Sequence, residues 1–351
     1  MALKSGLADR IRDHALRLGF DVVGITPAQR AARATDYFNW LEQGRHGDMA
    51  WLARDPERRA DPQRVLPGAR SMVIAGLSYF VADPPDEFWN DPMRGRIARY
   101  AWGRDYHDVV LPMLEELACF IGQEAGRAVL SRAYVDTGPV LEREHAARAG
   151  LGFIGKNTLL IHPRLGSCFF LGEILVDLEL NCDELPPEPV GACGSCRRCQ
   201  DVCPTHAFPA PYIIDSRLCI SYLTIEIKAA IPSDLRPLMK NWIFGCDECQ
   251  LICPWVKQYA RPGAKRFLSF DPDRFAPRLI DLMQLDDAGF RDQFGGTPIV
   301  RIKRRGLLCN VAVALGNAGD ASALPVLENA LHDPEPLIRE HAQWAMDRII
   351  R

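Results

Sequence analysis

Seven of the chain's twelve cysteines stand in two short runs, each closed by proline. Cys193, Cys196, Cys199 and Cys203 form C-x2-C-x2-C-x3-C before Pro204, and Cys246, Cys249 and Cys253 form C-x2-C-x3-C before Pro254. Such a segment must fold around an inorganic core, and the spacing is that of a pair of 4Fe–4S clusters. In the bacterial two-cluster pattern the fourth cysteine of each run ligates the other run's cluster. Cys193, Cys196 and Cys199 then take Cys253, while Cys203, Cys246 and Cys249 hold a second cluster that is one thiolate short. Cys219, between the runs, is the natural eighth ligand.

Other uses of these thiols fit less well. A structural zinc site uses four thiolates in two pairs, not seven in two proline-closed runs. The C-x3-C-x2-C of radical enzymes runs in the opposite order to Cys246–Cys253. Disulfides need an oxidising compartment, and the opening MALKSGLADRIRDHALRLGF reads as a charged amphipathic helix rather than a secretory signal. Cys119, Cys168, Cys182 and Cys309 lie in apolar or isolated settings and are expected to be small core residues.

At 351 residues the chain is long enough for two or three domains. No apolar stretch approaches the ~20 residues that span a bilayer, so a membrane partner is not expected and the cytoplasm is. A net charge of −3 gives no global pull toward nucleic acid, so such binding needs local basic patches.

Up to about residue 180 the pattern alternates between helix and strand: a helix over 6–18, strands at 20–25 and 71–80, and a helix over 111–125 with Leu111, Leu114, Leu117, Ala118 and Ile121 on one face. A short strand at 133–136 leads into Thr137-Gly138-Pro139, with Pro139 opening a helix that stops at Gly150. Strands follow at 158–162 and 168–180. This is an α/β domain, residues 1–180. The segment 181–262 is rich in Pro and Gly, as loops wrapped around clusters require. From about 270 three amphipathic helices are expected, at 307–316, 323–331 and 337–350. With the Asp333-Pro334-Glu335-Pro336 turn and Arg339, the last two resemble a HEAT repeat. Too small to fold alone, this 270–351 tail is expected to pack on the α/β body.

Asp136 is the best catalytic candidate of the first domain. A carboxylate at a strand end before a turn into a helix sits where α/β folds place ligands, and part-burial there would suit a proton donor. The glycine-rich stretch Gly150–Thr158 (GLGFIGKNT) would let backbone approach a large flat or phosphorylated ligand. Its partial match to a Walker loop is accidental: Asn157 replaces the metal-binding hydroxyl, and the loop follows a helix.

Taken together, YAWGRDYHD (100–108), YVDTGPVLER (134–143), GLGFIGKNTLLI (150–161), the eight cysteines and the helical tail closely resemble the epoxyqueuosine reductase family over nearly the whole chain. The resemblance implies an α/β cobalamin-binding domain, a bacterial-ferredoxin-like domain with two 4Fe–4S clusters, and a HEAT-like α-helical tail. It implies reduction of epoxyqueuosine to queuosine at the tRNA wobble position, the last step of queuosine biosynthesis. Electrons would pass through the clusters to form cob(I)alamin, and Asp136 would donate the proton. Implied partners are a tRNA anticodon stem-loop and a low-potential donor of ferredoxin or flavodoxin type; the enzyme is expected to be a monomer.

Around that core, Arg59, Arg99, Tyr106, His107, Lys156, Asn157 and Thr158 are candidate cobalamin contacts, with Asp136 itself. Arg301, Lys303, Arg304 and Arg305 (RIKRR) form a basic run suited to tRNA phosphates. Two rival readings are a cobalamin-dependent reductive dehalogenase, which normally carries a twin-arginine signal, and a ferredoxin-like carrier. The carrier would leave most of the chain, including the Asp136 loop, without a role.

Overall fold

The computed structural model describes residues 6–182, 191–262 and 267–351, so residues 183–190 of the expected cysteine-rich segment lie outside the described residues. The first helix, α1 (Leu7–Leu18), buries Ala8, Ile11 and Ala15 and ends at Gly19, whose φ of 112° closes the helix as a side chain could not comfortably do. Eight strands follow along the chain: β1 (Val22–Pro27), β2 (Ser71–Ser78), β3 (Arg96–Ile97), β4 (Ser131–Tyr134), β5 (Phe153–Ile154), β6 (Leu160–Ile161), β7 (Phe169–Val176) and β8 (Trp242–Phe244).

The main sheet has the order β1-β2-β7-β4 and is antiparallel throughout. Helices and strands alternate as expected, but the carboxyl-end rule for parallel sheets does not account for the position of Asp136. Apolar runs conceal strand direction here because both faces are covered: all eight residues of β2 are buried. Val73, Ala75 and Leu77 pack with α1 and with Leu114, Leu117 and Ile121 of α2 (His107–Ala125). Met72 and Ile74 face the other way, toward Ala146 of α3 (Glu142–Arg148) and its neighbour Ala149. Helix α3 begins three residues after Pro139, which lies in the preceding turn. In α2, Leu111 and Ala118 are only half-buried, and Val110 takes the inward place.

The glycine-rich stretch is a small hairpin, β5 with β6. Gly152, at φ 147°, has no room for a side chain: a Cβ would lie 2.2 Å from the carbonyl oxygen of Ile161. Lys156, Asn157 and Thr158 form the hairpin's tip.

The tail opens with short helices at Pro272–Phe275, Leu279–Met283 and Asp287–Phe294 that were not expected, and ends with α4 (Lys303–Ala318), α5 (Leu324–Ala330) and α6 (Pro336–Ile350). Helix α4 is not amphipathic: every residue from Leu307 to Gly316 is buried, as in a helix enclosed on all sides. Its neighbours include Ile97, Ala101, Trp102, Ile243 and Phe244, so the tail packs on the strip where β3 runs parallel to β8. Asn310 fixes this contact by donating to the Thr224 carbonyl at 2.8 Å and the Ile243 carbonyl at 2.9 Å. The apolar cores thus cross the segment boundaries expected from the sequence. No helix among the described residues is long and apolar enough to cross a membrane.

Candidate active site and cluster cysteines

The cysteines sit at the ends of one- or two-turn helices, with Cys219 and Cys253 at the residues just before Ile220–Ile225 and Pro254–Tyr259. They gather into two sets. Burial pushes the Cys199 thiol up to about 11, and the charges acting on it are those of Cys193, Cys253 and Cys196. Burial also raises Cys249, beside Cys219 and Cys203, and Cys246, beside Cys219 and Cys249. Cys199 also acts on Cys249, so the two sets adjoin. Thiols raised by crowding become thiolates when iron supplies the opposing charge. Among the described residues no three His, Cys, Asp or Glu side chains converge on a single metal ion.

Backbone amides point at the sulfurs: Lys156 N–H to Cys193 Sγ and Ala207 N–H to Cys203 Sγ, both 3.4 Å. The Lys156 ammonium donates to the carbonyls of Gly194 (2.7 Å) and Cys196 (3.0 Å). The hairpin tip therefore clamps the first cysteine loop, and Lys156 is engaged there. Of the remaining cysteines, Cys168 and Cys309 are buried as expected, whereas Cys119 is exposed and Cys182 half-buried.

Asp136 follows β4 in a left-handed conformation, φ 59°, which aspartate tolerates better than most residues. It is exposed rather than part-buried. The Tyr106 hydroxyl donates to its Oδ2 at 2.8 Å. Tyr106 is held flat between Phe170 (centroids 4.4 Å apart) and His107 (4.1 Å), and His107 Nδ1 lies 2.7 Å from Asp105 Oδ1. Burial and the nearby Asp136 charge raise the Tyr106 phenol far above its ordinary range, so it stays a donor. Arg59 donates to the Gly138 carbonyl at 3.0 Å and pins the turn after Asp136. Tyr100 lies in the fields of both Asp136 and Asp247, the neighbour of Cys246.

The other expected contacts divide. Arg99 is 2 % exposed; its guanidinium reaches Asp83 at 2.5 Å and its backbone N–H donates to Asp247 at 2.8 Å, which makes it a joint between segments. Thr158 gives its carbonyl to Arg143 at 2.5 Å. Asn157 is 3 % exposed and its Nδ2 has no acceptor. The basic run splits as well. Arg301 pairs with Glu226 at 2.8 Å, lies over the Trp51 ring and feels Asp136 and Tyr100, at the rim of the site. Arg304 is turned inward to Asp333 (2.5 Å) and the Leu285 carbonyl (2.6 Å), so it is not presented to a phosphate. Lys303 and Arg305 are exposed.

Two carboxyls, half-buried Glu142 and fully buried Glu173, escaped the sequence reading. Glu142 opens α3, and Glu173 lies inside β7. Glu173 interrupts the otherwise uncharged FFLGEILV, and that interruption was the available signal.

Two family profiles match the chain: "Epoxyqueuosine reductase QueG, DUF1730" over residues 59–137 and "4Fe-4S double cluster binding domain" over residues 192–256. The chain is 41% identical to the epoxyqueuosine reductase of Pseudomonas aeruginosa, over 97% of this chain and 94% of that protein. It is 43% identical to that of Xanthomonas campestris, over 97% and 95%. Among solved structures, an epoxyqueuosine reductase bound to an epoxyqueuosine-modified tRNA-Tyr stem loop superposes with a TM-score of 0.88 at 31% identity, covering 98% of this chain and 90% of that one. The Bacillus subtilis enzyme, solved with its catalytic aspartate loop swung out of the active site, gives 0.86 at 30%, over 98% and 90%. The chain belongs to the epoxyqueuosine reductase family.

Proposed function

We propose that this protein reduces epoxyqueuosine to queuosine at the wobble position of tRNA, the final step in making that base. The observation that carries the reading is the Asp136 carboxyl at the end of β4, oriented by the Tyr106 hydroxyl at 2.8 Å, in a chain of this family. Residues 1–180 are read as the cobalamin-binding catalytic part, 181–262 as the ferredoxin-like part and 270–351 as HEAT-like helices. Arg339 supports the last reading by donating to the Asp333 and Pro334 carbonyls of the turn. The residues suit a corrin, whose rim carries amide carbonyls: the buried Asn157 Nδ2 is a donor in want of one. Bound cobalamin supplies low-potential two-electron chemistry for opening a strained C–O bond.

The chain's own residues orient and protonate. Asp136 delivers a proton to the oxygen that leaves carbon, Tyr106 fixes which carboxylate oxygen faces the substrate, and His107 with Asp105 braces Tyr106. Arg301, Lys303 and Arg305 offer charge to the phosphates of an anticodon stem-loop, while a single-stranded wobble base can be splayed into the site. Arg197 and Arg198 are exposed beside the first cysteine run and suit an acidic, low-potential donor of ferredoxin or flavodoxin type. We place the enzyme in the cytoplasm, with its tRNA substrate, as a monomer.

The test uses protein purified without oxygen and loaded with cobalamin, given chemical reductant and an epoxyqueuosine stem-loop. Conversion by the wild type, with Asp136→Asn retaining corrin and iron but losing ~10²–10⁴-fold in rate, is expected. Full turnover by Asp136→Asn would refute the acid role, and no conversion by loaded wild type would refute the activity.

A further inference from the structure

Electrons must enter the molecule from outside, and the two cysteine runs differ in how near they lie to solvent. Residues 242–256, which carry the second run, are all buried or half-buried. Around the first run Ala192, Gly194, Ser195, Arg197, Arg198 and Asp201 are exposed. One-electron transfer between proteins weakens steeply with distance, so a donor gains most by docking there. A cleft of about 580 Å³ opens beside that run, lined by Arg197, Gln200, Phe208, Pro209, Ala210 and Pro211, with Lys156 in its wall. The wall is tied to the cysteine loop: the Tyr212 amide donates to the Lys156 carbonyl at 3.1 Å, and the Lys156 ammonium holds the Gly194 and Cys196 carbonyls. Past Pro211 the chain turns back on itself, Ala210 bridging Ile213, and Tyr212 takes a φ of 67° that few non-glycine residues adopt. The turn presents Tyr212 (43% exposed) and Ile213 (39%) to solvent.

Around this apolar patch the charge is positive. Lys156, Arg197 and Arg198 stand against one carboxylate, Asp201, which lies 3.8 Å from Arg197, and Arg198 meets no carboxylate of the described residues. A nucleic-acid footprint would be basic throughout. An apolar centre with a few cations at its edge is instead the composition of a protein contact. We propose that this cleft is the docking surface for the electron donor, a small acidic flavoprotein that seats the apolar edge of its flavin ring in the cleft while its carboxylates meet Arg197 and Arg198. The inference rests on the reductase reading above and names the partner at its point of electron entry. A flavin can present the edge of its ring directly, whereas an iron–sulfur cluster lies beneath its own loops, so a concave surface favours the flavin. Each visit moves one electron from the donor's flavin hydroquinone into the group held by the first cysteine set, and two visits supply the two electrons that the epoxide takes up. A small contact of this kind lets the donor leave between visits.

The test follows the magnetic-resonance signal of the reduced iron–sulfur centres after oxygen-free holoprotein is mixed with fully reduced flavodoxin, or with dithionite, which needs no docking. Replacing both arginines, Arg197→Glu with Arg198→Glu, is expected to slow reduction by flavodoxin about tenfold at low salt and not at all at about 1 M salt, where the screening length is ~3 Å. Tyr212→Asn, which suits the left-handed turn, should slow it about fivefold at every salt concentration. Iron content and the dithionite rate should match wild type in both. Reduction by flavodoxin at the wild-type rate in both variants would overturn the proposal, as would a slowing that dithionite shares. Loss of stem-loop binding in the arginine variant, with flavodoxin unaffected, would give the surface to RNA instead. Charge sensitivity with a ferredoxin but not with flavodoxin would overturn the choice of a flavin. If the double charge reversal loses iron, Arg197→Gln with Arg198→Gln is measured in the same way. None of the reduction rates uses epoxyqueuosine, so wild type that accepts electrons at this surface but converts no epoxyqueuosine stem-loop would sink the reaction and leave the docking surface standing.

Discussion

Reversing the charge of Arg304 should unfold the tail rather than release tRNA, and its sequence neighbour Arg305 provides the contrast. The Arg304 guanidinium donates to both oxygens of Asp333 (2.5 and 3.3 Å) and to the Leu285 carbonyl (2.6 Å). The side chains are 15% and 7% exposed, so solvent screens the pair little. Burial alone would raise Asp333, but the Arg304 hydrogen bond and the Glu335 amide outweigh it and hold the carboxyl below 3.8. Because the folded value is depressed, the stabilisation is present above that pH and lost as pH falls through the folded value. Breaking a buried pair by removing one partner costs about 3–5 kcal/mol. At about 2 °C for each kcal/mol in a chain of this size, Arg304→Glu should melt about 6–10 °C below wild type. Arg305→Glu, at an exposed position, should melt with wild type. Stem-loop binding measured across a salt series should show a slope smaller by about 1 for Arg305→Glu. An Arg304→Glu protein that melts like wild type yet loses salt-dependent binding would refute the inward assignment.

Tyr106→Phe removes the hydroxyl that donates to Asp136; hydrogen bonds to charged groups are worth about 1.5–3 kcal/mol, so turnover should fall at least ~10-fold with iron and corrin contents unchanged. Wild-type turnover would remove Tyr106 from the mechanism. Cys219→Ser should lose about half of the bound iron while exposed Cys119→Ser loses none; full iron in Cys219→Ser would make another group the eighth ligand. Finally, Glu142 is raised from 4.5 to about 7, so its contribution is complete below pH 4.5 and lost as pH rises through 7. At about 1.4 kcal/mol per tenfold, that is on the order of 3 kcal/mol. Wild type should therefore lose that much stability relative to Glu142→Gln between about pH 4.5 and 7.5; a constant difference in melting would contradict the raised value.

The double-cluster segment was legible because ligand spacing within a run is local, and Cys219 was expected there only as the missing eighth thiolate. The Asp136 loop was legible as a strand end before a Gly-Pro turn. What the sequence concealed was decided by distant partners. β2 and β7 are apolar on both faces, so nothing in their patterns says that they run antiparallel. LLCNVAVALG has apolar residues all round, yet spacing alone suggested one face; enclosure by β8 and residues 97–102 explains the rest. RIKRR reads as one basic run, but Glu226 and Asp333 draw Arg301 and Arg304 to different neighbours. A charge run reports composition, while its availability depends on carboxylates 75 and 29 residues away.

Helix α4 also bears on the order in which the molecule can be assembled. The core beneath Cys219 and Cys246 includes Val313, and Asn317 donates to the carbonyls of Arg236 and Lys240. Cys253 leaves the ribosome before α4, which ends at Ala318, 318 − 253 = 65 residues later. At roughly 5–20 residues per second, the cysteine loops spend about 3–13 seconds without the helix that walls them in. Iron and sulfide therefore have an open cradle during synthesis and a closed one afterwards. A chain that reached closure unloaded would have to reopen its C-terminal core to receive them.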